Sequence, residues 1–197
     1  MEPSREVRCE PMIRSILLVL AAFTLLYINA AADPAAAPAD PAAVPPAPPA
    51  VGAPAPKISA INQEGQPIQF ADVYAKGITL VYFYPKAGTS GCTAEACSLR
   101  DSYEKLHAQG LQIIGVSRDN VAAQKKFQTA NHLPFVLVAD TDGKVAEAFG
   151  VPMISNMIPV DTRQSFIVKK DKIVWNSLRA QTSGSADEVQ KALDGLK

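Results

Sequence analysis

Residues 78–97 read ITLVYFYPKAGTSGCTAEAC and are the most informative part of the chain. The first seven are mostly β-branched or aromatic with no polar alternation, which predicts a central strand buried on both faces. A Pro/Gly turn follows, and Cys92 falls where the next helix should begin. A thiol at that place meets the positive end of the helix dipole and unpaired backbone N–H groups, and both favour the reactive thiolate.

The rest of the chain from residue 57 to residue 197 alternates between strand and helix patterns. We expect strands at 58–61, 68–70, 111–117, 135–139, 164–169 and 173–178, and helices at 91–107, 121–131, 144–149 and 186–196. This order predicts an α/β domain with a central mixed β-sheet flanked by helices on both faces. Cys92 would then lie at the carboxyl end of a central strand, where open α/β sheets place their functional sites.

The first 56 residues predict no part of this domain. Residues 1–32 have basic residues, then an apolar run, then small residues, which is the order of a secretory signal peptide or an uncleaved N-terminal anchor. Residues 33–56 are almost all Ala and Pro and predict an extended, semi-rigid linker. The sequence therefore predicts an exported protein, either periplasmic or tethered to a membrane and facing the periplasm.

Composition excludes several classes of function. Lys and Arg together number 19, as do Asp and Glu, so the chain has no basic footprint for nucleic acid. The two histidines and three cysteines show no pair with zinc-ligand spacing. We therefore expect no metal site and no cofactor.

The segment around Cys92 resembles one known family. The motifs are Pro85-x-x-x-Thr89-x-x-Cys92, Tyr82-Phe83-Tyr84-Pro85, Gly91-Cys92-Thr93-x-Glu95-Ala96-Cys97, Arg100-Asp101, Asp142-Gly143-Lys144-Val145-Ala146 and Arg163-x-Ser165-Phe166. They are similar to those of the peroxiredoxins, and the Cys-x-x-x-x-Cys spacing resembles the bacterioferritin-comigratory-protein or Q-type branch. The resemblance covers the chain from about residue 56 to its end.

The resemblance implies a thioredoxin-like fold and a thiol-dependent peroxidase that reduces hydrogen peroxide and organic hydroperoxides. It implies that Cys92 is the peroxidatic cysteine and Cys97 the resolving one, joined by an intramolecular disulfide during turnover. It also implies catalytic roles for Pro85, Thr89 and Arg163, a thioredoxin-like protein as reductant, and a monomer.

The chemistry of Cys92 requires a nearby cation. A free thiol is only about 3% ionised at pH 7, and Glu95 in the same helical turn would oppose ionisation. We expect Arg163 to supply the charge, because one guanidinium about 4 Å away is worth on the order of 4 kcal/mol at an effective dielectric of about 20. Glu95 itself is interpreted as a helix-start charge with Arg100 as its structural partner.

Two more side chains are expected in the pocket. The Thr89 hydroxyl could donate to the thiolate or accept from the peroxide, and Pro85, which has no N–H, could shield the pocket from water. The planar fork of Arg163 could also hold both oxygens of a peroxide.

Helix geometry places a constraint on the second thiol. On an ideal helix, Cα atoms five residues apart are separated by about 8.6 Å, whereas a disulfide tolerates at most about 7 Å. If Cys92 and Cys97 lie on one helix, that helix must unwind locally before they can bond.

Three other functions remain possible at this point. An exported thiol–disulfide oxidoreductase of thioredoxin-like fold would normally carry Cys-x-x-Cys, which this chain lacks. A cysteine phosphatase needs Cys-x5-Arg, but Ser98 stands at the arginine position. A non-enzymatic chaperone or adhesion module on a stalk is the third, and the two thiols could form a static structural disulfide.

Overall fold

The computed structural model describes residues 46–155 and 157–196. The expected signal or anchor segment and the first part of the linker lie outside the described residues, so those expectations stay predictions.

The described chain contains two β-sheets. A small antiparallel sheet pairs β1 (Ser59–Ile61) with β2 (Pro67–Gln69). The main sheet comprises β3 (Ile78–Phe83), β4 (Leu111–Ser117), β5 (Val136–Ala139), β6 (Gln164–Lys169) and β7 (Lys172–Ser177). Its order is β5-β4-β3-β6-β7; β3, β4 and β5 run parallel, while β6 is antiparallel to β3 and to β7. The strand predicted to be central is central.

Helices cover both faces of the main sheet. They are α1 (Phe70–Tyr74), α2 (Ser90–Asp101), α3 (Tyr103–His107), α4 (Val121–Ala130), α5 (Lys144–Ala148) and α6 (Ser185–Asp194). Side chains of α2, α3, α4 and α6 form one hydrophobic cluster with the sheet, and those of α1 and α5 form a second cluster on the opposite face. This arrangement confirms the predicted mixed α/β architecture.

The two faces can be followed along β3, where successive side chains point in opposite directions. Leu80 and Tyr82 belong to the cluster that includes α2, and Val81 and Phe83 belong to the other. Tyr82 lies across Gly115, its register partner on β4, where an added Cβ would come within 2.7 Å of the Tyr82 hydroxyl oxygen. Glycine at this position therefore allows an aromatic ring to lie flat on the sheet beneath α2.

The helix predictions differ from the structure in two places. The short helix α1 was not predicted, because five residues are too few to reveal a helical period; its ends, Phe70 and Tyr74, are both buried on one face. The single helix predicted for residues 91–107 is two helices with a break at Ser102, whose φ of −101° and ψ of 3° are not helical. Serine competes with the helix through local hydrogen bonds, so it is a favoured place for such a break.

The end of the Ala/Pro-rich segment lies on the domain. Gly52 N donates to Ile173 O at 2.7 Å, and Ala55 N donates to Asp171 O at 2.9 Å. The side chain of Asn176 donates to Pro49 O at 3.2 Å. Residues 49–55 of the predicted linker therefore lie along the edge strand β7, where Gly52 and Ala53 pair with both backbone groups of Ile173 and cover part of the exposed sheet edge.

Candidate active site

Cys92 is the third residue of α2 and lies next to the carboxyl end of β3. Thr89 is the N-cap, with an extended backbone, and its carbonyl accepts the first intrahelical hydrogen bond from Thr93 N at 2.8 Å. The thiol is only 1% exposed and packs in the cluster that contains Tyr82 and Tyr84. The sequence therefore placed the thiol correctly, in the first turn of a helix where backbone N–H groups have no intrahelical acceptor.

Arg163 reaches the thiol from a distant part of the chain. It directly precedes β6, whose first residue, Gln164, pairs with Phe83 at the end of β3. Arg163 Nη2 donates to Cys92 Sγ at 3.3 Å. The antiparallel register thus brings a guanidinium to the thiol, as expected from the sequence.

Glu95 is the second partner of Arg163. Its carboxylate is fully buried, and Arg163 Nη1 donates to Glu95 Oε2. Burial raises the pKa of Glu95 to about 8, against the lowering effect of the charge and hydrogen bond of Arg163, while Glu188 adds to the rise. The protonated carboxyl carries no charge and leaves that of Arg163 to the sulfur, whereas the ionised carboxyl competes for it.

The interpretation of Glu95 as a helix-start charge paired with Arg100 is wrong. Arg100 instead contacts the carboxylate of Asp101 at 2.7 Å and donates to Asn131 O at 2.8 Å. The reason is rotation: residues five positions apart lie about 140° apart around a helix, so Glu95 points into the core while Arg100 points outward.

Thr89 and Pro85 lie in the loop between β3 and α2. The Thr89 hydroxyl oxygen lies 3.0 Å from Lys86 O. A carbonyl can only accept, so the hydroxyl proton is directed at Lys86 and the lone pairs of the hydroxyl remain available. Pro85 is half-buried at the start of the loop. Of the two roles expected for the threonine hydroxyl, this geometry favours accepting a hydrogen bond.

Cys97 lies on the same helix but in different surroundings. It is a half-buried free thiol whose Sγ lies 4.0 Å from the side-chain oxygen of Asn131, and the Arg100 guanidinium is its cationic neighbour. Cys92 is also a free thiol. Because both residues lie within the continuous helix α2, the geometric condition for local unwinding is met.

Sequence reasoning missed three groups around the thiol. Tyr82 and Tyr84 stack at a centroid distance of 5.5 Å beside Cys92, and burial raises the pKa of Tyr82 well above its usual value. Asp119 accepts a hydrogen bond from Ala87 N at 2.7 Å and so contacts the loop of the site. The aromatic pair was visible in the motif, whereas the contact of Asp119 depends on the tertiary fold.

A comparison with known protein families identifies the family of this chain. The model of the AhpC/TSA family matches residues 51–177. The chain belongs to the AhpC/TSA family. That range contains β3, Cys92, Cys97 and Arg163, so the match includes both thiols and the arginine next to them.

Relatives define the branch within the family. The chain is 36% identical to the chloroplastic peroxiredoxin Q of Sedum lineare over 140 residues, which is 69% of this chain and 73% of the relative. The crystal structure of peroxidoxin BcpB from Mycobacterium tuberculosis matches with a TM-score of 0.69 and 28% identity, covering 75% of this chain and 97% of that one. A bacterioferritin comigratory protein of Xanthomonas campestris, a structure described for its alkyl peroxide reduction activity, matches with a TM-score of 0.65 and 26% identity over 71% and 91% of the two chains.

These matches confirm the predicted branch, the thioredoxin-like fold and the thiol-dependent peroxidase activity. Membership implies a peroxide as substrate and a thioredoxin-type protein as reductant. A general thiol–disulfide oxidoreductase, the main alternative from the sequence, is not favoured by the relatives.

The prediction of a periplasmic location is wrong. The Sedum lineare relative is chloroplastic. A basic segment followed by an apolar run does not by itself specify a compartment, because targeting signals are recognised by receptors. Residues 1–32, on which the prediction depended, are outside the described range. Among the helices of residues 46–155 and 157–196, none is long and apolar enough to cross a bilayer.

Proposed function

We propose that Cys92 is the nucleophile that reduces the peroxide and that Cys97 resolves the oxidised product. The observation that supports this most strongly is the hydrogen bond from Arg163 Nη2 to Cys92 Sγ at the start of α2. A thiol next to a guanidinium and to helix-start N–H groups has the electropositive surroundings of a reactive cysteine.

In the first step, the Cys92 thiolate attacks one oxygen of the peroxide. The S–O bond forms as the O–O bond breaks, and the other oxygen takes a proton and leaves as water or alcohol. Cys92 becomes a sulfenic acid. The sulfur is oxidised by two electrons and the peroxide is reduced by two.

The surrounding groups support this step. Arg163 stabilises the thiolate and the negative charge that develops on the leaving oxygen. Thr89, whose own proton is directed at Lys86, accepts a hydrogen bond from the peroxide O–H and so orients it. Pro85 offers the substrate no competing backbone N–H.

In the second step, the Cys97 sulfur attacks the sulfur of the Cys92 sulfenic acid. The S–S bond forms, the S–O bond breaks, and hydroxide leaves with a proton as water. A dithiol reductant of thioredoxin type then exchanges with the disulfide and restores both thiols. That the enzyme works as a monomer stays a prediction.

Replacement of Cys97 by serine tests the division of roles. We expect the Cys97→Ser variant to consume one equivalent of peroxide at close to the wild-type rate and then to stop, with turnover supported by thioredoxin falling by about a hundredfold or more. The trapped Cys92 sulfenic acid should be labelled by dimedone and detected by mass spectrometry. Lys126→Met, at an exposed position of α4, is the control and should turn over normally; an equal loss of turnover in both variants would contradict the proposal.

Formation of the disulfide should unwind the start of α2. The peptide that contains residues 91–99 is expected to exchange its amide hydrogens much faster in the disulfide form than in the reduced form, because the two sulfur atoms cannot meet on an intact helix. Hydrogen exchange followed by mass spectrometry measures this. Equal protection in the two forms would show that the helix does not need to open.

The protonation of Glu95 should set an alkaline limit on the reaction. Above pH 8, ionised Glu95 competes with the thiolate for Arg163, and we expect the rate constant with peroxide to fall severalfold. In Glu95→Gln, the amide oxygen still accepts from Arg163 but carries no charge, so this decline should disappear. Stopped-flow kinetics from pH 6 to pH 10 would measure it, and a decline that persists unchanged in Glu95→Gln would contradict the role given to this carboxyl.

The Glu95 carboxyl should also make the stability of the fold depend on pH. The folded state holds the Glu95 proton more tightly than the unfolded state does, because the pKa rises from 4.5 to about 8 on burial. The stability contributed by this group is therefore complete below pH 4.5 and is lost as the pH rises toward 8. The free energy of unfolding of the wild type, relative to that of Glu95→Gln, should decline across this window.

A further inference from the structure

Asp119, two residues beyond the end of β4, holds the loop that precedes the peroxidatic cysteine. Its Oδ2 accepts from Ala87 N at 2.7 Å and from Ser117 Oγ at 2.8 Å. Ala87 lies midway between Pro85 and Thr89, so this carboxylate oxygen anchors the loop between the two pocket residues.

A buried polar chain holds the Asp119 carboxylate in turn. Gln124 Nε2 donates to Ser117 Oγ at 2.9 Å and to Val138 O at 2.8 Å, and Tyr84 Oη donates to Gln124 Oε1. Ser117, Gln124 and Tyr84 are at most 1% exposed. Such a chain is costly to disturb, because each buried group that loses its partner remains desolvated. The orientation of Asp119 is therefore fixed by the core.

Arg118, the neighbouring residue, holds the segment that carries Arg163. Its Nε donates to Asp161 Oδ1 at 2.8 Å, and Asp161 is fully buried two residues before Arg163. The intervening residue, Thr162, donates its N–H to Pro152 O at 2.9 Å. The backbone that leads into Arg163 is thus held from two directions.

Gly143 makes room for the Arg118 guanidinium. A Cβ at Gly143 would lie 2.1 Å from Arg118 Nη1, and the backbone there has a φ of +74°. The positive φ favours glycine, and the missing side chain leaves the space that the guanidinium occupies. Gly143 therefore makes room for Arg118 in the turn after β5.

We propose that Arg118 and Asp119 are the positioning residues of the peroxide site. Asp119 fixes the loop with Pro85 and Thr89, and Arg118 fixes the approach of Arg163. This inference rests on the proposed function. It explains how two loops that are far apart in the sequence are held in fixed positions next to each other. Neither residue touches the reacting atoms; each acts through another group, and small displacements at reacting centres reduce rates strongly.

The two residues should leave different signatures. Asp119→Ala should lower the rate constant with peroxide about ten- to a hundredfold per titrated Cys92 thiol, while the thiolate fraction followed by ultraviolet absorbance against pH stays as in the wild type, because Arg163 is untouched. Asp119→Asn should recover most of the rate, since its amide oxygen can accept from Ala87 N. Arg118→Met should lower both the rate constant and the thiolate fraction at neutral pH.

Two further variants keep the test decisive if a single substitution unfolds the protein. The double variant Arg118→Met/Asp161→Leu replaces the buried ion pair with an apolar pair that can pack and should show the same loss as Arg118→Met. Ser117→Ala removes the hydroxyl that orients Asp119 and should give a weaker form of the Asp119→Ala effect. Asp171→Asn, an exposed carboxylate paired with Lys57 at the far end of β6, is the control and should match the wild type.

The outcomes separate this inference from the function itself. If the wild type and Asp171→Asn fail to reduce peroxide, the proposed function is wrong. If both reduce it while the Asp119 and Arg118 variants match them per titrated thiol, only the positioning role is overturned. Variants with lower melting temperatures but unchanged rates per titrated thiol would also overturn it, because a purely structural role changes only the fraction of folded enzyme.

Discussion

Replacing Arg163 by methionine is expected to slow the reaction of Cys92 with peroxide by about two to three orders of magnitude. The guanidinium donates to the sulfur at 3.3 Å from a side chain that is only 17% exposed, so solvent screens the interaction weakly. Without it, the helix N-terminus alone favours the thiolate. Stopped-flow measurement of the rate constant with hydrogen peroxide, together with the ultraviolet absorbance of the thiolate, tests both parts of this expectation.

The fold should survive the Arg163→Met substitution. Loss of Arg163 removes the charge and hydrogen bond that lower the pKa of Glu95, so the buried carboxyl becomes neutral and no unpaired charge is left in the core. Lys126→Met, which removes a positive charge from the exposed face of α4, is the control for net charge and should leave the rate unchanged. Arg163→Lys keeps the charge without the planar fork and should be intermediate. An Arg163→Met variant that reacts as fast as the wild type would show that the cation is not what activates Cys92.

Replacing Cys92 by serine should abolish peroxide reduction, with a loss on the order of four orders of magnitude or more. A hydroxyl is smaller than a thiol, is not ionised at neutral pH and is a poor nucleophile toward oxygen. It can still accept a hydrogen bond from Arg163, so Cys92→Ser should fold, and its circular dichroism should match that of the wild type. Peroxide consumption in the presence of a thioredoxin system measures the loss.

The Cys92→Ser variant also shows whether another thiol can act as the nucleophile. Cys97 is half-buried, and its neighbours are the side-chain oxygen of Asn131 and the guanidinium of Arg100, which also pairs with Asp101. The Arg100 side chain is 31% exposed against 17% for Arg163, so solvent screens its charge more strongly, and Cys97 lies beyond the first turn of α2. It should therefore not react rapidly with peroxide in the Cys92→Ser protein. Substantial peroxide consumption by that variant would place the nucleophile elsewhere and would contradict the roles given to both cysteines.

The local parts of the site could be predicted from the sequence. A strand, a Pro/Gly turn and a thiol at a helix start are neighbours in the chain, so strand composition and helix-start signals place Cys92 without tertiary information. The alternation of strands and helices likewise predicts a mixed sheet with β3 at its centre. Element ends differ from the predictions by one or two residues, as is usual for frayed ends.

The interactions between distant residues could not be predicted in the same way. Glu95 and Arg163 are 68 residues apart, and their contact follows from the pairing of β6 with β3. The sequence did suggest Arg163 as the cation, but it assigned Glu95 to Arg100 because only local spacing was available. The buried chain from Tyr84 to Asp119 is likewise invisible locally, since it joins residues on β4 and α4 with the loop that leads to α2.

The most direct test of the account is to map the disulfide in the wild-type protein after one equivalent of hydrogen peroxide. Peptide mass spectrometry under non-reducing conditions should find a single intramolecular bond that joins Cys92 to Cys97, absent before the peroxide is added and removed by a thioredoxin system. A protein in which the two cysteines remain unbonded, or are already bonded before oxidation, would contradict the account.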